Sequence, residues 1–397
     1  MTKDNSNTRT PIIRFQGFNG EWKKKKIGDI AIVLQGYGFP EKYQGQKYGD
    51  LPFCKVGDIS SAVDRGEMVI NKADNFVDYS LLPVLHAQPI PVGSTIFAKI
   101  GEAIRSNKRI KTGVPCLIDN NAAAVKSKGE ISDTFLFYLM SKVNLADYSG
   151  GIVPSVNKST IEAIDVLVPS SRDEQQKIAE CLEAIDQMIS AQNQKVESLK
   201  THKKGLMQQL FPQPGATTPA LRFPGFIGDW QEKSFDRICH TITPPLKLQS
   251  SQYSSSGKFP IVDQSQTLIC GWTNDPSGLL RNAPYIIFGD HTCVLKYIDF
   301  PFIQGADGVK ILGSNKKDNS KFIYQLLLSN PVKQDGYKRH FSDLKEKVFL
   351  LPPTLEEQTK IAECLSSIDE IISVEESKVA SLKARKKGLM QQLFPQL

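Results

Sequence analysis

Two stretches of the chain place apolar residues at alternating spacings of four and three. In the first stretch these are Ile178, Leu182, Ile185, Ile189, Val196, Leu199, Leu206 and Leu210. In the second they are Ile361, Leu365, Ile368, Ile372, Val379, Leu382, Leu389 and Leu393. A repeat averaging 3.5 residues is typical of a coiled-coil seam. The pattern therefore predicts two long helices, each with an apolar stripe that needs a partner.

The two stretches are copies of each other. Residues 177–213 and 360–396 align without a gap, and 26 of the 37 positions are identical. Ser171 and Thr354 stand three residues before Glu174 and Glu357, which is the spacing of a capping box. An identity of this length shows an internal duplication.

The nearest partner for each helix is the other copy, and we expect the two to pair antiparallel as a rod of roughly 60 Å. Polar residues interrupt the seam at Gln192 and Glu375 in the middle and at Lys203 and Lys386 further on. Such residues cost stability and favour a single register. The alternative is that each helix packs only on its own globular region.

A second repeat lies outside the helices. Residues 10–30 and 218–238 share the pattern Arg-Phe-x-Gly-Phe-x-Gly-acid-Trp, and we refer to them as lead-ins. The basic run at residues 23–26 has no equal in the second lead-in. Each lead-in and the long helix that follows it form a repeated frame. The segments between them, residues 31–168 and 239–351, are dissimilar in sequence and are called the inserts. This order predicts a quasi-circular molecule with a pseudo-twofold, in which residues 11–30 lie near Phe394.

The sequence pattern of both inserts predicts short strands, with one helix near the C-terminal end of each insert. In the first, strands are predicted at residues 31–34, 53–56, 94–100, 122–125 and 164–168, with a helix at 134–140. In the second, they are predicted at residues 260–262, 285–288, 293–297, 309–312 and 348–351, with a helix at 322–328. Short strands broken by glycine and proline are typical of a mixed α/β (α+β) domain.

Composition excludes some classes of protein. The 397 residues are 40% hydrophobic, and no apolar run approaches the ~20 residues that span a bilayer. The first residues lack the apolar centre of a signal peptide. Seven cysteines without a Cys-x-x-Cys pair indicate a reducing cytoplasm and no structural zinc. The net charge of +7 fits a polyanionic partner only weakly.

The sequence contains no glycine-rich nucleotide motif, and its five histidines lack the spacing of metal ligands. Asp343-x-Lys345 is the nearest approach to a nuclease site. Since an acid-x-lysine triplet is frequent by chance, we predict no catalytic residue and no metal site.

Basic side chains in the inserts are the better signal. Arg105, Lys108, Arg109 and Lys111 lie in a predicted polar loop, and Lys338 and Arg339 lie beside Tyr337 and Phe341. Such groups neutralise phosphates or contact guanine edges. Lys55, His291, Gln264 and Gln266 are weaker candidates, the glutamines as readers of adenine. For any one of these residues, a plain solvated surface is the alternative.

These features together resemble the specificity subunit of type I restriction–modification systems. The resemblance rests on E-Q-x-K-I-A-E-C-L and K-K-G-L-M-Q-Q-L-F-P in both copies, and on the R-F-x-G-F-x-G-x-W lead-ins. Residues 153–169, VPSVNKSTIEAIDVLVP, are similar to the end of a target-recognition domain of that family. The matching segments extend over nearly the whole chain.

The resemblance implies a domain organisation. Residues 1–168 would form the first target-recognition domain with its lead-in, and residues 170–211 the first coiled-coil helix. Residues 212–351 would hold a linker, the second lead-in and the second target-recognition domain, and residues 354–397 the second helix. Each domain would read one half of an asymmetric, bipartite double-stranded DNA target, and the coiled coil would hold the readers at a set separation.

The resemblance also implies partners. The helices would dock a pair of modification (methyltransferase) subunits, and restriction subunits would join the full complex. S-adenosylmethionine, ATP and magnesium would belong to those partners, with no cofactor in this non-catalytic, cytoplasmic chain and no membrane contact. Two rival interpretations are a coiled-coil scaffold holding two protein-binding domains and a self-contained nuclease using Asp343 and Lys345.

Overall fold

A computed structural model describes residues 9–336 and 338–395, so Tyr337 lies outside the described residues. The chain divides into two compact units. The first unit contains the described parts of residues 1–195 and 375–397, and the second contains residues 196–374.

The first unit begins with the lead-in and the first insert. Its strands are β1 (Lys23–Lys26), β2 (Ala31–Gln35), β3 (Leu51–Cys54), β4 (Val69–Ile70), β5 (Phe76–Val77), β6 (Thr95–Ala98), β7 (Arg109–Thr112), β8 (Leu117–Ile118), β9 (Ala122–Ser127) and β10 (Asp165–Val168). Its helices are α1 (Ile27–Ile30), α2 (Val56–Asp64), α3 (Leu82–Leu85), α4 (Asp133–Lys142), α5 (Lys158–Ala163) and the first part of α6 (Arg172–Leu210).

The second unit repeats this order. Its strands are β11 (Gln231–Ser234), β12 (Cys239–Ile242), β13 (Phe259–Val262), β14 (Gly271–Thr273), β15 (Leu279–Leu280), β16 (Tyr285–Gly289), β17 (Leu295–Ile298), β18 (Phe302–Gln304), β19 (Val309–Ser314) and β20 (Val348–Leu351). Its helices are the remainder of α6, then α7 (Phe235–Ile238), α8 (Ser320–Ser329), α9 (Phe341–Lys345) and the first part of α10 (Leu355–Leu393). Residues 375–393 of α10 belong to the first unit.

The main sheets of the two units share a topology. The order is β2-β9-β6-β7-β4 in the first unit and β12-β19-β16-β17 in the second. The middle strands β6 and β16 are buried along their whole length, as expected for β-branched and aromatic runs covered on both faces. A second sheet follows in each unit, with the orders β5-β3-β8 and β14-β13-β18-β15. The predicted mixed α/β class is confirmed.

The lead-ins form a strand in both units. Lys23–Lys26 pairs antiparallel with β10, and Gln231–Ser234 pairs in the same way with β20. The charges differ between the copies, but the backbone position is shared, because a ladder of backbone hydrogen bonds is indifferent to solvent-facing side chains.

Each lead-in is fastened to the first turn of a long helix by an ion pair between a partly buried arginine and a buried glutamate. Arg14 donates to both carboxylate oxygens of Glu174, each at 2.7 Å, and Trp22 Nε1 donates to Oε1 at 3.3 Å. In the second unit Arg222 and Trp230 hold Glu357 at 2.8, 2.8 and 3.3 Å. The bidentate geometry makes these charge-assisted bonds strong.

This use of the glutamates corrects half of the capping-box prediction. The Ser171 hydroxyl accepts from Glu174 N at 3.4 Å, and the Thr354 hydroxyl accepts from Glu357 N at 3.3 Å, so both helices have the predicted N-cap. The carboxylates, however, turn inward to the arginine and tryptophan of the lead-in.

An aromatic cluster completes the same frame. In the first unit Trp22 packs on Phe135 of α4 and on Phe394, with ring centroids 6.2 and 5.8 Å apart. Ile12 N also donates to Gln392 O at 2.9 Å. The lead-in therefore lies at the end of the second long helix, as predicted.

The long helices run antiparallel within each unit. In the first unit Asp186 pairs with Lys386 at 2.6 Å, and Lys195 pairs with Glu375 at 2.9 Å, so one residue number rises as the other falls. In the second unit Lys203 pairs with Asp369 at 2.7 Å. The two seam lysines thus take part in helix-to-helix ion pairs.

The seam is shared with the globular regions, so the alternative interpretation also holds in part. Ile178 and Leu182 lie in one core with Trp22, Leu393 and Phe394. Of the predicted interface residues, the buried ones are Ile178, Leu182, Ile185, Ile189, Ile361, Leu365 and Ile372. The half-buried ones are Leu199, Leu206, Ile368, Leu382 and Leu389.

Candidate nucleic-acid interface

In both units a surface loop is anchored to the end of the middle strand by the same backbone bond. Val156 N donates to Lys99 O at 2.9 Å in the first unit, and His340 N donates to Asp290 O at 2.8 Å in the second. We call residues 144–156 and the described part of 330–340 the anchored loops. Because they follow the equivalent helices α4 and α8 and are bonded to the ends of the equivalent strands β6 and β16, they are the places where two unlike inserts can be compared directly.

In the second unit, the side chain of Gln264 ties three loops together. Its Oε1 accepts from His291 N at 3.2 Å, and its Nε2 donates to Asp307 O at 3.1 Å. The Thr292 hydroxyl donates to Gln264 O at 2.9 Å. Since both ends of the amide are bonded within the protein, Gln264 positions the loops, and its contact with adenine stays a prediction.

His340 holds the second anchored loop from inside. Its ring is buried, with Nδ1 3.2 Å from Asp290 O, while Nε2 accepts from Asp335 N at 3.0 Å. Phe341 N adds a bond to the Asp290 carboxylate at 2.9 Å. The loop is therefore a rigid support for whatever side chains it exposes.

The side chains it exposes are cationic. Lys338 and Arg339 both project to solvent, and Lys338 lies 3.3 Å from Asp343. His291 Nδ1 lies 3.2 Å from Lys338 O, which brings the predicted His291 beside this pair. Gln266 is exposed on the neighbouring loop. Cations on a rigid loop suit phosphate neutralisation or guanine contact.

The predicted basic loop of the first unit is wrong in part. Arg109 and Lys111 belong to β7, whose residues are all buried. The Arg109 guanidinium stacks over Phe97 at 4.7 Å and donates to Asn107 Oδ1 at 2.8 Å, and burial lowers its pKa to about 9. Lys111 binds Glu183 of α6 at 2.7 Å. These two side chains face the core and the helix rather than an outside ligand.

The rest of that stretch stays on the surface. Arg105 lies in a 3-10 turn, Glu102–Ser106, and pairs with Glu102 at 2.9 Å while remaining exposed. Lys108 pairs with Asp64 at 2.7 Å. Exposed pairs of this kind are weak and can be exchanged for a phosphate at small cost, so Arg105 and Lys108 stay candidates.

Another loop of the first unit carries candidates that the sequence reasoning missed. Residues 36–50 interleave aromatic and lysine side chains: Lys42 lies over the Tyr43 ring at 4.7 Å, and Tyr48 is exposed. Lys55 joins this loop, because its ammonium binds Gln44 at 2.5 Å and faces Phe39. Aromatic residues alternating with lysines are a signal for nucleic-acid contact that the sequence already contained.

The nuclease alternative does not fit the structure. Asp343 and Lys345 lie on the short helix α9, two positions apart, where side chains do not face each other. Asp343 pairs with Lys338, and Lys345 lies 3.8 Å from Asp236.

Within residues 9–336 and 338–395, no group of three or more His, Cys, Asp or Glu side chains is arranged to hold a metal ion. The same residues include no helix with the length and apolar character to cross a membrane.

Several known proteins are similar to this chain in sequence or in fold. The chain is 26% identical over 417 residues to the putative type I restriction enzyme MjaX specificity subunit of Methanocaldococcus jannaschii, covering 94% of this chain and 93% of that one. It is 25% identical to the MjaVIII specificity subunit of the same organism, covering 94% and 92%. The type I restriction–modification S subunit from M. genitalium has the same fold, with a TM-score of 0.63 at 15% identity over 98% and 100% of the two chains.

A family model described as the type I restriction modification DNA specificity domain matches residues 19–201 and 227–384. The two matches lie on the two copies of the repeated frame, and each includes the strand and loops described above. Because they cover most of the chain, this protein belongs to the family of type I restriction–modification DNA specificity subunits.

Proposed function

We propose that each unit of this specificity subunit reads one half of an asymmetric, bipartite DNA target. The observation that carries the proposal is the contrast between frame and loops. Arg14, Trp22 and Glu174 repeat as Arg222, Trp230 and Glu357 with nearly the same distances. The exposed residues of the anchored loops do not repeat. Unlike loops on equal frames suit unlike half-sites.

We further propose that the chain is non-catalytic and works in the cytoplasm. Modification subunits, as a pair, would supply methyl transfer from S-adenosylmethionine, and restriction subunits would supply ATP- and magnesium-dependent cleavage. The relatives named as specificity subunits of type I restriction enzymes support this division of labour. A scaffold that binds only proteins is less favoured, because cationic side chains are presented on rigid loops.

Methylome sequencing tests the proposal. A host carrying the modification subunits is compared with and without this chain. We expect one discontinuous motif, with two unlike halves, to become methylated only when the chain is present. An unchanged methylome together with a flat dependence of duplex affinity on salt would contradict the proposal, because phosphate neutralisation requires a steep slope.

A further inference from the structure

The anchored loop of the first unit exposes aliphatic side chains. Ile152 is fully exposed, with a relative accessibility of 104%, and its neighbour Val153 reaches 61%. Tyr148, at the base of the same loop, is also exposed. Single exposed apolar residues need no explanation, but adjacent ones mark an interaction site.

The loop presents these residues on a rigid mount. Gly101 N donates to Pro154 O at 2.7 Å, and Val156 N donates to Lys99 O at 2.9 Å, so both bonds lie within three residues of the tip. Gly151 has φ +89°, a conformation that an L residue adopts only with strain. The backbone is therefore shaped to hold Ile152 and Val153 outward.

The equivalent loop of the second unit carries charged side chains at its exposed part. It is anchored in the same way but exposes Lys338 and Arg339. In the first unit the turn that carries the exposed Arg105 packs against the turn Leu145–Tyr148, which precedes the tip of the anchored loop. An aliphatic tip on the loop equivalent to a cationic one matches a DNA groove, where apolar features of the base edges are flanked by phosphates.

We propose that Ile152 and Val153 are specificity-determining residues of the first unit and contact thymine C5-methyl groups in the major groove. The inference rests on the proposed function. The thymine methyl is the apolar feature of the major-groove edge, and aliphatic side chains recognise it. The second unit, with cations at this position, would read its half-site by hydrogen bonds instead.

Uracil substitution tests the contact atom by atom. Once the methylated motif is known, each thymine of a synthetic duplex is replaced by deoxyuracil, which removes only the methyl group. The full chain in complex with its modification subunits is titrated with each duplex. Where a thymine methyl is contacted, we expect its replacement by uracil to weaken binding about fourfold, the effect of one buried methyl-sized group.

The same titration with Ile152→Ser/Val153→Ser separates a direct contact from an indirect effect. We expect the variant to bind the thymine duplex more weakly and to show no further loss with uracil, while its affinity for random duplex stays unchanged. The conservative single variant Ile152→Leu should keep the loss of affinity that uracil causes in wild type. Ile227→Ser, equally exposed at 87% on the second lead-in, is the matched control and should behave as wild type.

The inference would be overturned by a methylated motif that has no A·T pair in either half, or by equal uracil effects in wild type and variant. It would also be overturned if the serine variant bound the motif normally but no longer assembled with the modification subunits. The last would identify the tip as a protein-docking site. A wild-type chain that confers no motif at all would instead contradict the proposed function.

Discussion

Gln192 and Glu375 occupy the same position in the two helix copies, and their side chains are hydrogen bonded to each other. Lys195 and Lys378 flank the carboxylate at 2.9 and 3.1 Å. A residue that meets its own duplicate can do so in only one antiparallel register. This polar contact within the seam therefore selects the pairing that the apolar heptads alone would allow to slip.

Glu375 predicts an acid-sensitive step in stability. Hydrogen bonds from Lys195, Gln192 and Lys378 lower its pKa to about 2, below the ~4.3 of an unfolded glutamate. The stabilisation is thus complete above pH ~4.5 and is lost as pH falls through about 2. We expect the stability difference between wild type and Glu375→Gln, measured by urea unfolding, to shrink between pH ~5 and ~3.

The exposed Glu370 of the same helix provides the control, and Glu370→Gln should show a smaller pH-dependent difference. A gap between wild type and Glu375→Gln that widens on acidification would contradict the assignment.

The lead-in ion pairs predict equal losses in the two units. Arg14→Met leaves the buried Glu174 carboxylate without its partner, which costs about 3 kcal/mol. Arg222→Met should cost a similar amount through Glu357. Calorimetric unfolding of the full chain measures both, and each variant serves as the other's internal control.

Restoration by a second substitution distinguishes the charge from packing. Glu174→Gln, added to Arg14→Met, removes the buried charge and keeps an acceptor for Trp22 Nε1, so we expect part of the loss to be recovered. Equal stability of the single and double variants would show that the ion pair is not the cause.

Arg105 and Arg109 are four residues apart, and we expect Arg109 to contribute to stability and Arg105 to duplex binding. Arg109 is buried against Phe97, so Arg109→Ala should lower the free energy of unfolding by about 3 kcal/mol, the usual cost of a large-to-small core change. Arg105 is exposed, and Arg105→Ala should change stability by less than about 0.5 kcal/mol. Of these two substitutions, we expect only Arg105→Ala to weaken duplex binding when folded protein is compared.

Arg109→Met, which keeps the volume, should be milder than Arg109→Ala, because a buried charge is costly to desolvate. Wild-type stability of Arg109→Ala would place that side chain outside the core.

The second anchored loop predicts a salt effect. Lys338→Ala should weaken binding to all duplexes alike and reduce the slope of log K against log salt by about 1. Lys321, exposed at the start of α8, is a matched cation away from the loop, and Lys321→Ala should leave the slope unchanged. An altered methylation motif with an unaltered slope would show that Lys338 reads a base instead.

The sequence by itself determined the features that depend on local periodicity and repetition. The seam from Ile178 to Leu210, the duplication, the N-caps at Ser171 and Thr354 and the helix over α4 all follow from spacing along the chain. The family motifs lie in the same segments. Local spacing suffices for these features because residues three and four positions apart lie on the same face of a helix.

Only the tertiary structure decided how charged residues are used. Arg105 and Arg109 belong to one basic stretch of the sequence. In the structure Arg109 is buried against Phe97, whereas Arg105 is exposed to solvent. Glu174 matches a capping box but binds Arg14, 160 positions earlier. A charged side chain takes its role from the groups that the fold brings within a few ångströms, and these come from distant parts of the chain.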